Sequence, residues 1–187
     1  DHAKYQYHGS VSACIGIIKA IVSDLENGHL KLDDSASKPS PTAWLSETCT
    51  RFHKVVKQLR SRREKRPTLS VEDEYDVQDL FHALLHLHFT DIRKEEWTPS
   101  YAGKCARVDF LLKVEQTIVE VKKTRATLTE KELGSELIED IARYQTHPDC
   151  KTLVCFVYDP EGYISNARGV ENDLNRTEPF PVHVYIR

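Results

Sequence analysis

The chain has 187 residues, 40% of them hydrophobic, and a formal net charge of −3. That length supports one good hydrophobic core with a small helical appendage and argues against a second large domain. The mildly acidic balance lacks the strong basic excess common among nucleic-acid binders, so a polyanion would have to be met by local charge.

Five cysteines, Cys14, Cys49, Cys105, Cys150 and Cys155, form no CxxC pair. Their odd number fits reduced thiols and a cytoplasmic setting better than a disulfide framework. No apolar run approaches the roughly 18 residues of a membrane span. Lacking methionine and opening at Asp1, the sequence reads as a piece of a longer polypeptide.

In chain order, Val11, Cys14, Ile15, Ile18, Ile21, Val22 and Leu25 recur at spacings of three and four, which predicts an amphipathic helix stopped by Asn27-Gly28. A loop follows over residues 35–42, and a second helix is expected from about Ala43 to Arg60. From Arg51 to Arg66 the chain carries Arg51, Lys54, Lys57, Arg60, Arg62, Arg63, Lys65 and Arg66 against the single acid Glu64. This is either a solvated helix face with a linker or a phosphate-backbone contact. A boundary at residues 66/67 separates this helical extension, 1–66, from the main domain, 67–187.

The segment Val71 to Phe89 reads as a helix with Ser70 as its N-cap, because Val77, Leu80, Phe81, Leu84, Leu85 and Leu87 form an apolar stripe. Strands are expected at 92–97, 107–112 and 117–122, the last two forming a hairpin across Lys113–Gln116. Thr129 and Glu132 make a capping box for a helix whose inner face is Leu133, Leu137, Ile138, Ile141 and Tyr144. The apolar run Thr152–Tyr158 suits a central strand covered on both faces, and a last strand is expected over Val182–Arg187. The order α-β-β-β-α-β predicts an α/β domain on a mixed sheet.

The hairpin carries the chemistry. If Leu112 pairs with Thr117, the same count sets Asp109 opposite Glu120, with Lys122 two residues on and therefore on the same face. Val108, Phe110, Val119 and Val121 occupy the reverse face. Two facing carboxylates repel unless neutralised, and a hard divalent cation with oxygen ligands is the usual remedy. The competing reading is a structural salt bridge through Lys122. His82 and His86 form an HxxxH pair, but the zinc-protease glutamate is missing, and buried or interface histidines account for them better.

Asp109, a spacer and Glu120-Val121-Lys122 resemble the signature of the PD-(D/E)XK, restriction-endonuclease-like nucleases, with Val108 where many members have proline. The likeness covers about Glu72 to Asp173 and is nearest the branch of GATC-cutting restriction enzymes and related prokaryotic defence nucleases. It implies a DNA endonuclease with a restriction-endonuclease-like mixed sheet, using Mg²⁺, with Mn²⁺ as a substitute, held by Asp109, Glu120 and the Val121 carbonyl. Lys122 would orient or help deprotonate the attacking water. The first helix commonly adds an acid. Glu74 fits, with Glu72, Asp73 and Asp76 as competitors. Gln145 resembles a polar residue that some members aim at the site. Arg60, Arg62, Arg63, Tyr101, Lys123 and Arg125 are candidate phosphate contacts. RNA as substrate, or a non-catalytic assembly role, are the alternatives. A homo-oligomer and an upstream sensor domain in an anti-phage defence protein are the expected partners.

Overall fold

The computed structural model describes residues 18–20, 22–24, 27, 39–97 and 107–187. It divides into two compact units, Asp1–Lys38 and Pro39–Arg187. In the first unit, residues 18–20 and 22–24 are helical, and the Asn27 side chain donates from Nδ2 to the Ser23 carbonyl at 2.8 Å. The remainder of the helix expected over Val11–Leu25 lies outside the described residues. Ile18 and Val22 are exposed.

The second unit begins with α1, Pro41–Arg60. Ser40 caps it by accepting the Ala43 amide at 3.1 Å, and Pro41 occupies a first-turn position where no amide donor is required. Its stripe Leu45, Cys49, Phe52 and Val56 is fully buried, so α1 is part of the hydrophobic core. The compact units divide before α1, and the 66/67 boundary expected from the basic run falls within the second unit. That run reflects the exposed face and end of a helix whose other face is core.

Helix α2 spans Glu74–Leu85. Asp73, not Ser70, is its N-cap, because Asp73 and Asp76 form a reciprocal capping box. The helix stops at Leu85, which leaves Leu87 in the following turn and 71% exposed, off the stripe to which the periodicity assigned it. Strands β1 (Ile92–Lys94), β2 (Phe110–Leu112) and β3 (Thr117–Lys123) follow, then α3 (Glu130–Tyr144), β4 (Thr152–Tyr158), α4 (Ala167–Leu174) and β5 (Val182–Ile186). Helix α4 is an element that the sequence reading did not anticipate. Its apolar content is low and none of its side chains is fully buried.

The five strands run in the order β1-β2-β3-β4-β5. The β1-β2-β3 portion is antiparallel, and β4 and β5 are added in parallel. This is the expected mixed sheet. Helices α1 and α2 cover one face, burying Phe110, Leu112, Val119, Val121, Val154 and Phe156. Helices α3 and α4 cover the other, over Leu111, Ile118, Leu153, Cys155 and Val157. Covering both faces explains why β4 is apolar almost throughout.

Two residues depart from the expected alternation. Val108 is buried among the α3-side residues, not beside Phe110, because the regular strand begins only at Phe110 and the chain bends at Asp109. Ile138 is 58% exposed, because the buried positions of α3 are Leu133, Leu137, Asp140, Ile141 and Tyr144. Among the described residues no helix is long and apolar enough to cross a membrane.

Candidate active site

The register observed in the hairpin pairs Leu112 with Thr117, Leu111 with Ile118 and Phe110 with Val119. One further step sets Asp109 opposite Glu120, as the spacing predicts. The ladder stops at that step, and the Asp109 side chain takes over from the backbone: Oδ2 accepts the Val121 amide at 2.7 Å. Its other oxygen accepts from Gln78 Nε2 at 2.9 Å. Gln78 lies one helical turn beyond Glu74 on α2, so both project from the same side of the helix. Glu74 Oε2 accepts the Lys123 amide at 3.3 Å. Its rivals are occupied locally, Asp73 and Asp76 with each other's backbone and Glu72 with Ser70.

Glu120 and Lys122 point to the opposite layer, where α3 supplies two partners. Tyr144 donates its hydroxyl to Glu120 Oε2 at 2.6 Å. Lys122 Nζ lies 2.8 Å from Asp140 Oδ2, off the line of a hydrogen bond, and 3.4 Å from Glu120 Oε1. Asp140 Oδ1 accepts from Arg143 at 3.1 Å. The bend at Asp109 and the end of the β2 ladder thus open a gap into which α2 and α3 each project polar groups.

Burial dominates the electrostatics. It pushes the Asp109 carboxyl up to about 7 against the Val121 hydrogen bond, with Glu74 adding repulsion. Burial, followed by the charges of Asp109 and Asp140, pushes Glu120 up to about 8. Glu74 is raised by burial despite the nearby Lys122. For Lys122, burial acts downwards, but Glu120 and Asp140 outweigh it and the net shift is upwards, so the ammonium persists at neutral pH. Tyr144 is raised by burial and by the two carboxylates, which keeps it a hydroxyl donor.

Four carboxylates, Glu74, Asp109, Glu120 and Asp140, lie around Lys122, with Arg143 paired to Asp140, a negative surplus that suits a hard divalent cation. No three His, Cys, Asp or Glu side chains among the described residues converge at coordinating distance. The donor set that fits is a carboxylate pair supplemented by backbone carbonyl and water, the mode Mg²⁺ favours.

The remaining anticipated residues divide. Gln145 is the C-cap of α3, beyond the inward stripe, and its Oε1 accepts from Arg176 at 3.2 Å; it is not brought to Asp109 and Glu120. Its neighbour Tyr144 takes the place facing the site. Tyr158 pairs in register with Lys123 and bonds His53 of α1 at 2.9 Å, which brings the last turn of α1 to the end of the sheet that holds Lys122. Arg60 is close enough there to act on the Tyr158 phenol. Arg62 donates to the Pro67 carbonyl, and Arg63 opens a short 3₁₀ turn; both are exposed. Lys123 is held near Glu161 at 3.7 Å, Arg125 is exposed, and Tyr101 lies outside the described residues.

Asp140, Tyr144 and Gln78 were not singled out as site residues from the sequence. A signal existed for Asp140: the spacing Leu133, Leu137, Asp140, Tyr144 puts an acid where the stripe calls for an apolar residue.

The DpnII-MboI restriction endonuclease model (REase_DpnII-MboI) matches residues 43–187, and thus includes α1 and both sheet faces. No curated protein and no solved structure matches the chain significantly. The match covers most of the chain and contains Asp109, Glu120 and Lys122; the chain belongs to the DpnII-MboI family of GATC-cutting, PD-(D/E)XK-like restriction endonucleases, which hydrolyse DNA phosphodiester bonds.

Proposed function

We propose that Asp109, Glu120 and Lys122 form the catalytic centre of a Mg²⁺-dependent DNA endonuclease, with Glu74 completing its acidic rim. The observation that carries this reading is that the Asp109 carboxylate bonds the Val121 amide, between Glu120 and Lys122, whose side chains lie 3.4 Å apart, and that its charge acts on Glu120. Magnesium held by Asp109, Glu120 and the Val121 carbonyl, with manganese as a substitute, would polarise the scissile phosphate and acidify a bound water.

The protein's own groups do the rest. Gln78 and the Val121 amide fix the Asp109 carboxylate, and Tyr144 fixes that of Glu120. Lys122, kept charged by its two carboxylate neighbours, acts as a positive charge against the developing negative charge and orients the water; it is not the base. Arg60, Arg62, Arg63 and Arg125 would follow the phosphate backbone, with Lys123 at the mouth of the site. Such contacts bind without reading bases.

Two active sites suit cutting of both strands, so the working form in this reading is a homo-oligomer. Its place is that of an effector in a prokaryotic anti-phage defence protein, with an upstream part of the polypeptide sensing the trigger. Sedimentation on duplex DNA tests the first point, and a full-length reading frame with nothing upstream would remove the second.

The decisive assay is cleavage of supercoiled plasmid with Mg²⁺ and with EDTA, alongside Asp109→Ala and Lys122→Ala. Mg²⁺-dependent cutting that both substitutions abolish supports the assignment. Retained cutting in either variant, or cutting of RNA alone, overturns it.

A further inference from the structure

Asp140 is an acid on the buried stripe of α3, its side chain 8% exposed. A buried lysine-aspartate pair is on average no more stabilising than a well-packed apolar pair, so packing does not explain it. It also adds a further repelling charge to Glu120. Arg143, three residues along the same helix, takes Oδ1, and Oδ2, which makes no hydrogen bond, lies 2.8 Å from the Lys122 ammonium as an ion pair. Glu120 accepts a longer hydrogen bond from Lys122 at 3.4 Å and has its other oxygen on Tyr144.

On this geometry we propose that Asp140 is the positioning residue for Lys122: α3 anchors the ammonium through Asp140, which leaves Glu120 available to the reacting centre. The inference rests on the nuclease reading for its consequence and on the ion pair for its substance. Lysine has four freely rotating side-chain bonds, and without a rigid partner its ammonium would drift from the position that the transition state requires. Asp140 is itself fixed by Arg143, so the chain of contacts Arg143-Asp140-Lys122 carries the rigidity of α3 into the centre of the sheet.

The test has two arms, both on the full chain. In the first, ¹⁵N-lysine NMR of the metal-free protein resolves a slowly exchanging ammonium, assigned to Lys122 by its loss in Lys122→Arg. In Asp140→Asn, which has the same shape and retains an acceptor for Arg143, that signal joins the rapidly exchanging surface lysines. Absence of a protected ammonium in the wild type, or its persistence in Asp140→Asn, overturns the proposal. In the second arm, Asp140→Asn lowers kcat for DNA cleavage by about 10–100-fold, the usual cost of losing a supporting partner. KM and the Mg²⁺ concentration for half-activity stay unchanged, and the substitution adds nothing to Lys122→Arg. A shift in the Mg²⁺ requirement instead makes Asp140 a metal ligand and refutes positioning. Failure of the wild type to cut DNA would refute the nuclease reading, and the NMR arm would still decide the anchor.

Discussion

At the residue scale, the centre stores unfavourable charge. Asp109 and Glu120 ionise near 7 and 8 in the fold, against 3.8 and 4.5 as ordinary carboxyls. The folded state therefore binds protons more tightly than the unfolded one, so the stability from these groups is complete below the ordinary values and is lost as pH rises through 7 and 8. In EDTA the melting temperature is expected to fall from pH 6.5 to pH 9. Asp109→Asn should flatten that profile and raise the melting temperature at pH 8 by a few degrees, on the scale of about 1 kcal/mol. Circular-dichroism melts across that range check it, and a wild-type profile no steeper than the variant's counts against it. Gln145, bonded to Arg176 outside the centre, gives the converse prediction: Gln145→Ala leaves plasmid cleavage at the wild-type rate. A large loss would place Gln145 in the site after all.

At the element scale, α1 decides where the domain starts. Phe52 packs edge-on against Phe156 and Tyr158 at 5.1 and 5.0 Å, so Phe52→Ala removes part of the core itself. Its cost is expected to be about 3–5 kcal/mol, measured by urea denaturation. A chain trimmed to 39–187 should melt cooperatively, whereas one trimmed to 67–187 should lack a cooperative transition, because it would expose the apolar faces of α2 and β4. Cooperative melting of the shorter piece would restore the boundary at 66/67. The elements with strong local signals lie close to where the sequence puts them: the hairpin turn, the capping box at Thr129 and the run in β4. Helix α4 was not legible because its side chains are only partly buried, and Asp73 displaced Ser70 because reciprocal capping satisfies more backbone donors than a lone serine does.

At the scale of the whole molecule, a net charge of −3 coexists with a basic last turn of α1, whose Arg60 lies near Tyr158. Phosphate contacts there should make duplex binding steeply salt-dependent. Arg60→Ala is expected to weaken binding uniformly across sequences and to reduce the slope of log affinity against log salt by about 1. Titrations in Ca²⁺ at several salt concentrations measure it, and an unchanged slope would remove Arg60 from the interface. The sequence alone determined the hairpin register, Leu112 with Thr117, and the common face of Glu120 and Lys122, because strand periodicity and hairpin register are local properties. Only the tertiary structure decided that Asp140 and Tyr144 complete that face and that Gln145 does not. It also placed α1 in the core, since which elements a helix packs against depends on contacts between residues far apart in the chain.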